Sequence, residues 1–175
     1  MRPWDRRMRM KAKKLTRMAL LTAIALILFL VEAQLPPLAP IPGIKLGLAN
    51  VITVYAMFVL SPGDTLLILL CRVFLGSVFS GQMMNLFYSL GGGLLCWLAM
   101  LVLRRVVSRR QVWVCSVIGA MCHNIGQILV AIWMTRTPSL IVYLPVLLVS
   151  GILTGLFTGL VAQFVLQRLE GAQKS

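Results

Sequence analysis

The sequence predicts an all-helical integral membrane protein with six transmembrane helices and both termini in the cytoplasm. Hydrophobic residues make up 59% of the chain and charged residues 12%, whereas charged residues make up about 25% of a typical soluble domain. The mean hydropathy is +0.93, and the apolar runs follow one another with short gaps, which indicates one membrane domain. The basic residues flank these runs and do not form a binding face, so nucleic acid is excluded as a partner.

The first apolar run predicts helix 1 over residues 15–34, after a basic cytoplasmic arm at residues 1–14. This helix ends before Pro36 and Pro37 because a residue that precedes proline is pushed out of the α region. Over residues 35–50, a membrane-spanning pattern breaks into four prolines, two glycines and one lysine. Irregular backbone survives at the membrane interface, or deeper only where protein or water shelters it. We therefore expect a shaped proline-rich loop between helices 1 and 2.

Five more helices are predicted, at residues 46–60, 65–80, 83–103, 112–134 and 140–167. The first of them is short, because about fifteen residues span only about 22 Å of a hydrocarbon core of roughly 30 Å. Either the proline-rich loop dips inward or neighbouring helices shelter this short helix. Asp64 is placed to cap the helix that follows. The membrane domain is predicted over residues 15–168, with a disordered tail at residues 169–175.

The charge distribution predicts the orientation, because lysine and arginine concentrate in cytoplasmic loops. With the N-terminus inside, the cytoplasmic side holds 14 of the 17 basic residues, the outer side holds Lys45 and Arg136, and Arg72 lies within the membrane. The basic arm also suits contact with anionic membrane lipid. We expect a multi-pass protein of the cell membrane.

Polar side chains inside transmembrane helices are costly, so each one is a candidate for function. When depth is assigned from the predicted topology, ten polar groups from five helices and one loop fall in the outer half of the membrane. In the inner half, only Gln163 is comparable. This asymmetry predicts a polar pocket that opens outward beneath the proline-rich loop. The candidate binding residues are Glu32, Lys45, Asn50, Arg72, Asn85, His123, Asn124 and Gln127.

Each candidate also has a structural interpretation. Arg72 either pairs with Glu32, which neutralises two buried charges, or contacts an anionic group of a solute. His123 either bonds to a neighbouring helix or serves as a ligand or proton carrier. The asparagine side chains either bridge helices or face the solute. Lys45 either extends to the interface or attracts a carboxylate or another anion.

Small residues predict close helix contacts. Gly151, Gly155 and Gly159 lie on one stripe of helix 6, a spacing that lets backbones approach. Ala19 and Ala23 form a similar, weaker stripe near the cytoplasmic end of helix 1, which is available to a partner protein. In the proline-rich loop, the residues expected to close over a solute are Pro36, Pro37, Pro40, Pro42 and Gly43.

The sequence lacks the common motifs of catalysis. It contains no Walker lysine motif, no HExxH, no DDxxD and no GxSxG, and it has only four acidic residues. Its four cysteines lie inside apolar runs without CxxC spacing, which is typical of packing residues. We therefore predict no enzyme, no cofactor, no metal site and no disulfide. A nucleotide-driven pump would need its ATPase on another chain.

Nearly the whole chain resembles the bacterial family named Gx transporter, often labelled heptaprenyl diphosphate synthase component I. The resemblance is carried by ALLTAIALILFLVEAQLPPLAPIPGIKLGLANV, LCRVFLGSVFSGQ, FYSLGGGL, GAMCHNIGQ and YLPVLLVSGILTGLFTGLVAQ. That family is similar to the S components of energy-coupling factor transporters, six-helix proteins that bind a micronutrient and dock on a shared membrane protein with two ATPases. Ile44, Lys45, Leu46 and Asn50 match the family's first-loop motif, and Ala19 and Ala23 match its helix 1 AxxxA pattern.

Two functions follow as hypotheses. The first is a substrate-binding membrane subunit for uptake of a small solute, energised by a transmembrane coupling protein and ATPase subunits; a stand-alone carrier belongs to the same class. The second is a membrane-anchored accessory subunit of isoprenoid synthesis, as the synthase label suggests. A soluble enzyme would need a large polar cytoplasmic surface, and the sequence offers only the basic arm and a short loop, which favours transport.

Overall fold

The computed structural model describes residues 3–34, 47–81, 83–109 and 111–172. All of its regular structure in those ranges is helical, as the sequence predicts. The helices are α1 (Pro3–Gln34), α2 (Leu48–Val59), α3 (Pro62–Ser80), α4 (Met83–Leu103), α5 (Val112–Thr135) and α6 (Leu144–Ala172), and a 3-10 segment, Pro138–Tyr143, precedes α6.

The outer surface of the bundle is apolar. Five of the helices are long and apolar enough to cross a membrane, and α2 is a shorter apolar helix. Large side chains such as Phe74, Trp133 and Phe164 are exposed on this surface. Soluble proteins rarely expose extended apolar patches, whereas lipid tails cover them without cost. The chain is therefore a multi-pass membrane protein.

The short helix α2 lies at the centre of the bundle. It contacts all five other helices, which follow one another around it in the order α1, α3, α4, α5, α6. Eight of its twelve residues are buried. Twelve residues span about 18 Å, while the 24 residues of α5 span about 36 Å. As a result, α2 fills the centre along only part of the bundle's length.

The two ends of the bundle differ in what they bury. The basal end holds the start of α1, the turn between α2 and α3, and the end of α6; the distal end holds the end of α1 and the start of α4 and α6. The apolar core lies in the basal half, where Met57 of α2 packs among Met18, Met100, Val112 and Leu166 from four other helices. The distal half instead contains the two buried charged side chains, described below.

Polar contacts tie α1 to its neighbours at the basal end. The ammonium group of Lys14 pairs with the carboxylate of Asp64 at 2.8 Å, and Arg17 donates to the Tyr55 hydroxyl on α2 at 3.2 Å. Nearby, the indole N–H of Trp97 donates to the Pro62 carbonyl at 3.1 Å. These bonds connect α1, α2, α3 and α4 around the turn that joins α2 to α3.

Several predicted helix boundaries are wrong, among them the start of α6, which lies at Leu144 after the 3-10 segment rather than at residue 140. Helix α1 begins at Pro3, so the predicted arm at 1–14 is helical from residue 3; this segment has no glycine or proline after Pro3 and is rich in good helix formers. Helix α6 continues to Ala172, so most of the predicted disordered tail at 169–175 is helical, again because no proline interrupts it. The cap of α3 is Ser61, whose hydroxyl accepts from the Asp64 N–H at 3.3 Å, and Asp64 itself lies in the first turn.

Glycines bring α4, α5 and α6 into close contact. The Gly151, Gly155 and Gly159 stripe of α6 lies against α5: a Cβ at Gly155 would lie 2.8 Å from the Val117 Cα, and one at Gly159 would lie 2.6 Å from the Trp113 Cα. Between α4 and α5 the same role falls to Gly91, Gly92 and Gly126. Larger side chains at these positions would separate the helix backbones.

Gly126→Ala tests this packing. The new Cβ would lie 2.6 Å from the Gly91 carbonyl oxygen and 2.8 Å from the Gly92 Cα, and because both are backbone atoms the helices must shift. We expect a loss of roughly 1–3 kcal/mol in the free energy of unfolding, measured by thermal unfolding in detergent. Gly63→Ala is the matched control, since nothing lies within 4 Å of its Cβ position. Equal stability of the two variants would contradict the close contact between α4 and α5.

Candidate functional site

Glu32 holds the start of α2. Its side chain is buried, and its two carboxylate oxygens accept hydrogen bonds from the backbone N–H groups of Gly47, at 2.5 Å, and Leu48, at 3.1 Å. These N–H groups lie at the helix start, where no acceptor within the helix is available, and the positive end of the helix dipole favours a negative charge there. Gly47 adopts a φ of 71°, which favours glycine.

Arg72 of α3 is the second buried charge. Its Nη2 donates to the Asn50 Oδ1 of α2 at 3.3 Å, and its buried Nε has no hydrogen-bond partner in the part of the chain that the structure describes. The alternative in which Arg72 pairs directly with Glu32 is not realised: within the described ranges the single ion pair is the one between Lys14 and Asp64. The reason is that both Glu32 oxygens already bind the start of α2.

Two polar residues of α5 face α4 at the distal half. A Cβ at Gly92 would lie 2.7 Å from the Gln127 Cγ and 3.1 Å from the His123 Cε1, so both side chains lie against this glycine. The His123 Nδ1 is buried without a hydrogen-bond partner. Asn124 points elsewhere, because its side-chain amide donates to the Leu147 carbonyl of α6 at 2.5 Å. Asn124 therefore bridges two helices, as one of its two interpretations has it.

The remaining candidate residues are placed less fully. Asn85 is half-buried in the first turn of α4. Lys45 and the loop positions Pro36, Pro37, Pro40, Pro42 and Gly43 lie outside the described residues. Their part in the site stays a prediction from the sequence.

A small cavity of about 20 Å³ lies at the start of α2. It is large enough for about one water molecule. Of the candidate residues only Asn50 lines it; the other lining residues are Gly47, Val54, Cys96, Ser116, Ala120, Thr154 and Thr158. The Ser116 and Thr158 hydroxyls lie 3.0 Å apart and join α5 to α6 beside it. Polar side chains therefore line part of this cavity, although the helices around it are apolar overall.

The sequence analysis missed these hydroxyls because serine and threonine in membrane helices commonly bond to their own helix backbone. Thr154 and Thr158 do so, with the Gly151 and Gly155 carbonyls as acceptors. A signal was present: each threonine directly precedes a glycine of the stripe that packs on α5. A threonine next to a glycine that packs on another helix lies near the interior of the bundle, even when its hydroxyl bonds to its own helix.

Ala19 and Ala23 lie on the outside of α1. Both are exposed, whereas Met18, Leu21 and Ala25 of the same helix are buried against the bundle. The two alanines therefore leave a smooth strip of small side chains on the surface, and because α1 begins at Pro3 this strip lies near the middle of the helix rather than near its cytoplasmic end.

Residues 21–165 match the model of the family described as heptaprenyl diphosphate synthase component I. The fold is similar to a solved structure titled as the S component of a bacterial ECF transporter, with a TM-score of 0.66 over 94% of this chain and 99% of that one. The two sequences are 19% identical, so the similarity is one of fold. No curated protein matches the sequence.

Glu32→Gln tests the link between α1 and α2. The amide NH₂ cannot accept a hydrogen bond, so either Gly47 or Leu48 loses its acceptor, and the charge at the helix start is lost. We expect the free energy of unfolding to fall by roughly 1–3 kcal/mol, measured by thermal unfolding in detergent. Gln34→Ala, at an exposed position near the same end, should have little effect. A Glu32→Gln protein as stable as the wild type would contradict the proposed link.

Proposed function

We propose a function from the premise that this chain belongs to the heptaprenyl diphosphate synthase component I family, whose model spans residues 21–165 of its 175 residues. In this proposal the chain is the S component of an energy-coupling factor transporter. It is the membrane subunit that binds a small solute for uptake, and partner ATPases energise it. The observation that carries the proposal is the fold shared with an S component over nearly the full length of both chains.

The interior of the bundle suits a binding subunit. Helix α2 is short, so the centre of the distal half is left to side chains of the surrounding helices, among them Arg72 and His123, each with a buried nitrogen that lacks a partner. Buried polar groups in a bilayer are costly unless they are satisfied. A water-soluble molecule that satisfies them would be bound there and shielded from lipid.

The proposed cycle begins with the distal end facing outward and the basal end in the cytoplasm, in the cell membrane. Solute binding favours one conformation of the chain, and a transmembrane coupling protein with its ATPases supplies the free energy to reorient it. The exposed Ala19 and Ala23 strip of α1 is the proposed docking site for the coupling protein. Closure of the proline-rich loop over the solute is the further part of this proposal that rests on sequence.

The proposal assigns binding and no catalysis to this chain. The family's description favours a second candidate, an accessory subunit that anchors a soluble prenyl diphosphate synthase at the membrane. The two candidates differ in their partners: transport requires ATPases and a bound solute, whereas an anchor requires a synthase and no solute.

Affinity purification of the full chain from its own cells, in mild detergent, distinguishes them. We expect mass spectrometry to find a transmembrane coupling protein, ATPase subunits and a retained small molecule. An unrelated multi-pass protein with the same tag serves as the control for non-specific partners. Recovery of a prenyl synthase without any retained small molecule would contradict transport and support the anchor.

Substitution of the exposed alanines tests the docking site. In the double variant Ala19→Trp and Ala23→Trp, two large side chains occupy the smooth strip of α1, so we expect the coupling protein and ATPases to be lost from the purification. Thermal stability and the retained solute should be unchanged, because both positions are exposed. Leu98→Trp, at an exposed position of α4, is the control. Retention of the partners by the double variant would place docking elsewhere.

A further inference from the structure

The hydrogen bonding of Arg72 is incomplete. A guanidinium group carries five N–H donors. Arg72 is 7% exposed, its Nη2 donates to Asn50 at 3.3 Å, and its Nε–H has no acceptor among the described residues. Its one hydrogen-bond partner given by the structure, Asn50, is neutral, so a full positive charge lies in the interior of a membrane protein beside an unused donor.

The chain itself has no carboxylate to spare for Arg72. It contains four acidic residues, Asp5, Glu32, Asp64 and Glu170. Asp5 and Glu170 fall near the basal start of α1 and end of α6, and Asp64 pairs with Lys14 at the same end. The Glu32 carboxylate is held at the start of α2 by two N–H groups, and no ion pair joins it to Arg72 within the described ranges. An anionic acceptor for the Nε–H therefore has to come from another molecule.

The geometry favours a carboxylate over a phosphate. The Nε–H and the adjacent Nη2–H of a guanidinium form an edge that binds a planar carboxylate through two parallel hydrogen bonds. A phosphate monoester carries between about 1.5 and 2 negative charges at neutral pH, and Arg72 is the only buried cation among the described residues. One cation balances one carboxylate.

We propose that the solute carries a carboxylate group, which binds the Nε and Nη2 edge of Arg72 beside Asn50. This inference rests on the proposed function as a solute-binding subunit. Asn50, the hydrogen-bond partner of Arg72, lines the small cavity at the start of α2. That cavity is about 20 Å³, room for about one water molecule, so a carboxylate at this edge takes the place of the Asn50 amide at Nη2.

Simple acids and their amides test the charge requirement. The probes are propionate and benzoate, compared with propionamide and benzamide, added to the full chain in mild detergent at constant ionic strength. At concentrations up to about 0.1 M, a ligand with a millimolar Kd raises the unfolding temperature measurably. We expect at least one acid to stabilise the wild type more than its amide. Equal effects of acid and amide, including no effect of either, would overturn the proposal.

Variants then locate the site. Arg72→Gln should weaken the stabilising acid by roughly 30-fold or more, because a buried charged partner is lost, and Arg72→Lys, which keeps the charge but not the paired donors, should fall between. Arg105→Gln, at an exposed position near the basal end, should leave binding unchanged. Unchanged binding in Arg72→Gln would overturn the proposal; should that variant fail to fold, Arg72→Lys and the comparison of acid with amide still decide it.

Three further outcomes separate this inference from the proposed function. Inorganic phosphate that stabilises the wild type more than any carboxylate would overturn the choice of carboxylate. A neutral solute retained together with ATPase subunits would also overturn it, but would leave the transport function standing. Absence of both solute and ATPases from the purified protein would contradict the transport function itself.

Discussion

The pair of hydrogen bonds that the Glu32 carboxylate accepts from the start of α2 is the interaction on which the rest of the structure depends. A helix that begins inside a bilayer exposes N–H groups that neither lipid nor water can satisfy. The Glu32 carboxylate supplies two acceptors and a negative charge at that point. Because this end is satisfied, α2 can be as short as twelve residues and still lie at the centre of the bundle.

A short central helix divides the interior in two. Where α2 is present, its buried side chains join an apolar core contributed by all the other helices. Around its start, the surrounding helices contribute the buried side chains of Arg72 and His123. The glycines of α4, α5 and α6 bring the backbones of these three helices into close contact. The apolar core and the candidate site thus occupy different halves of one small protein.

The sequence predicts the fold well, because hydrophobic runs and prolines mark the membrane helices directly. The bounds of α4 agree with the prediction at both ends. It also identifies Glu32 and Arg72 as buried candidates, because charges inside apolar runs stand out. The sequence does not predict the partners of these two side chains. Glu32 binds backbone N–H groups of α2 rather than Arg72, and a backbone group cannot be recognised from the residue type. The hydroxyls of Thr154 and Thr158 were missed for a related reason, since each satisfies itself on its own helix.

Helix α1 is fastened to its neighbours at two widely separated points. Close to its middle, Lys14 pairs with Asp64 in the first turn of α3 and Arg17 donates to Tyr55 of α2; near its end, Glu32 accepts hydrogen bonds from the start of α2. Because α1 is bonded near both ends of α2, the two helices are expected to move together as one rigid unit. A tilt of α1 would therefore also move the start of α2, and with it Asn50, the hydrogen-bond partner of the Arg72 guanidinium.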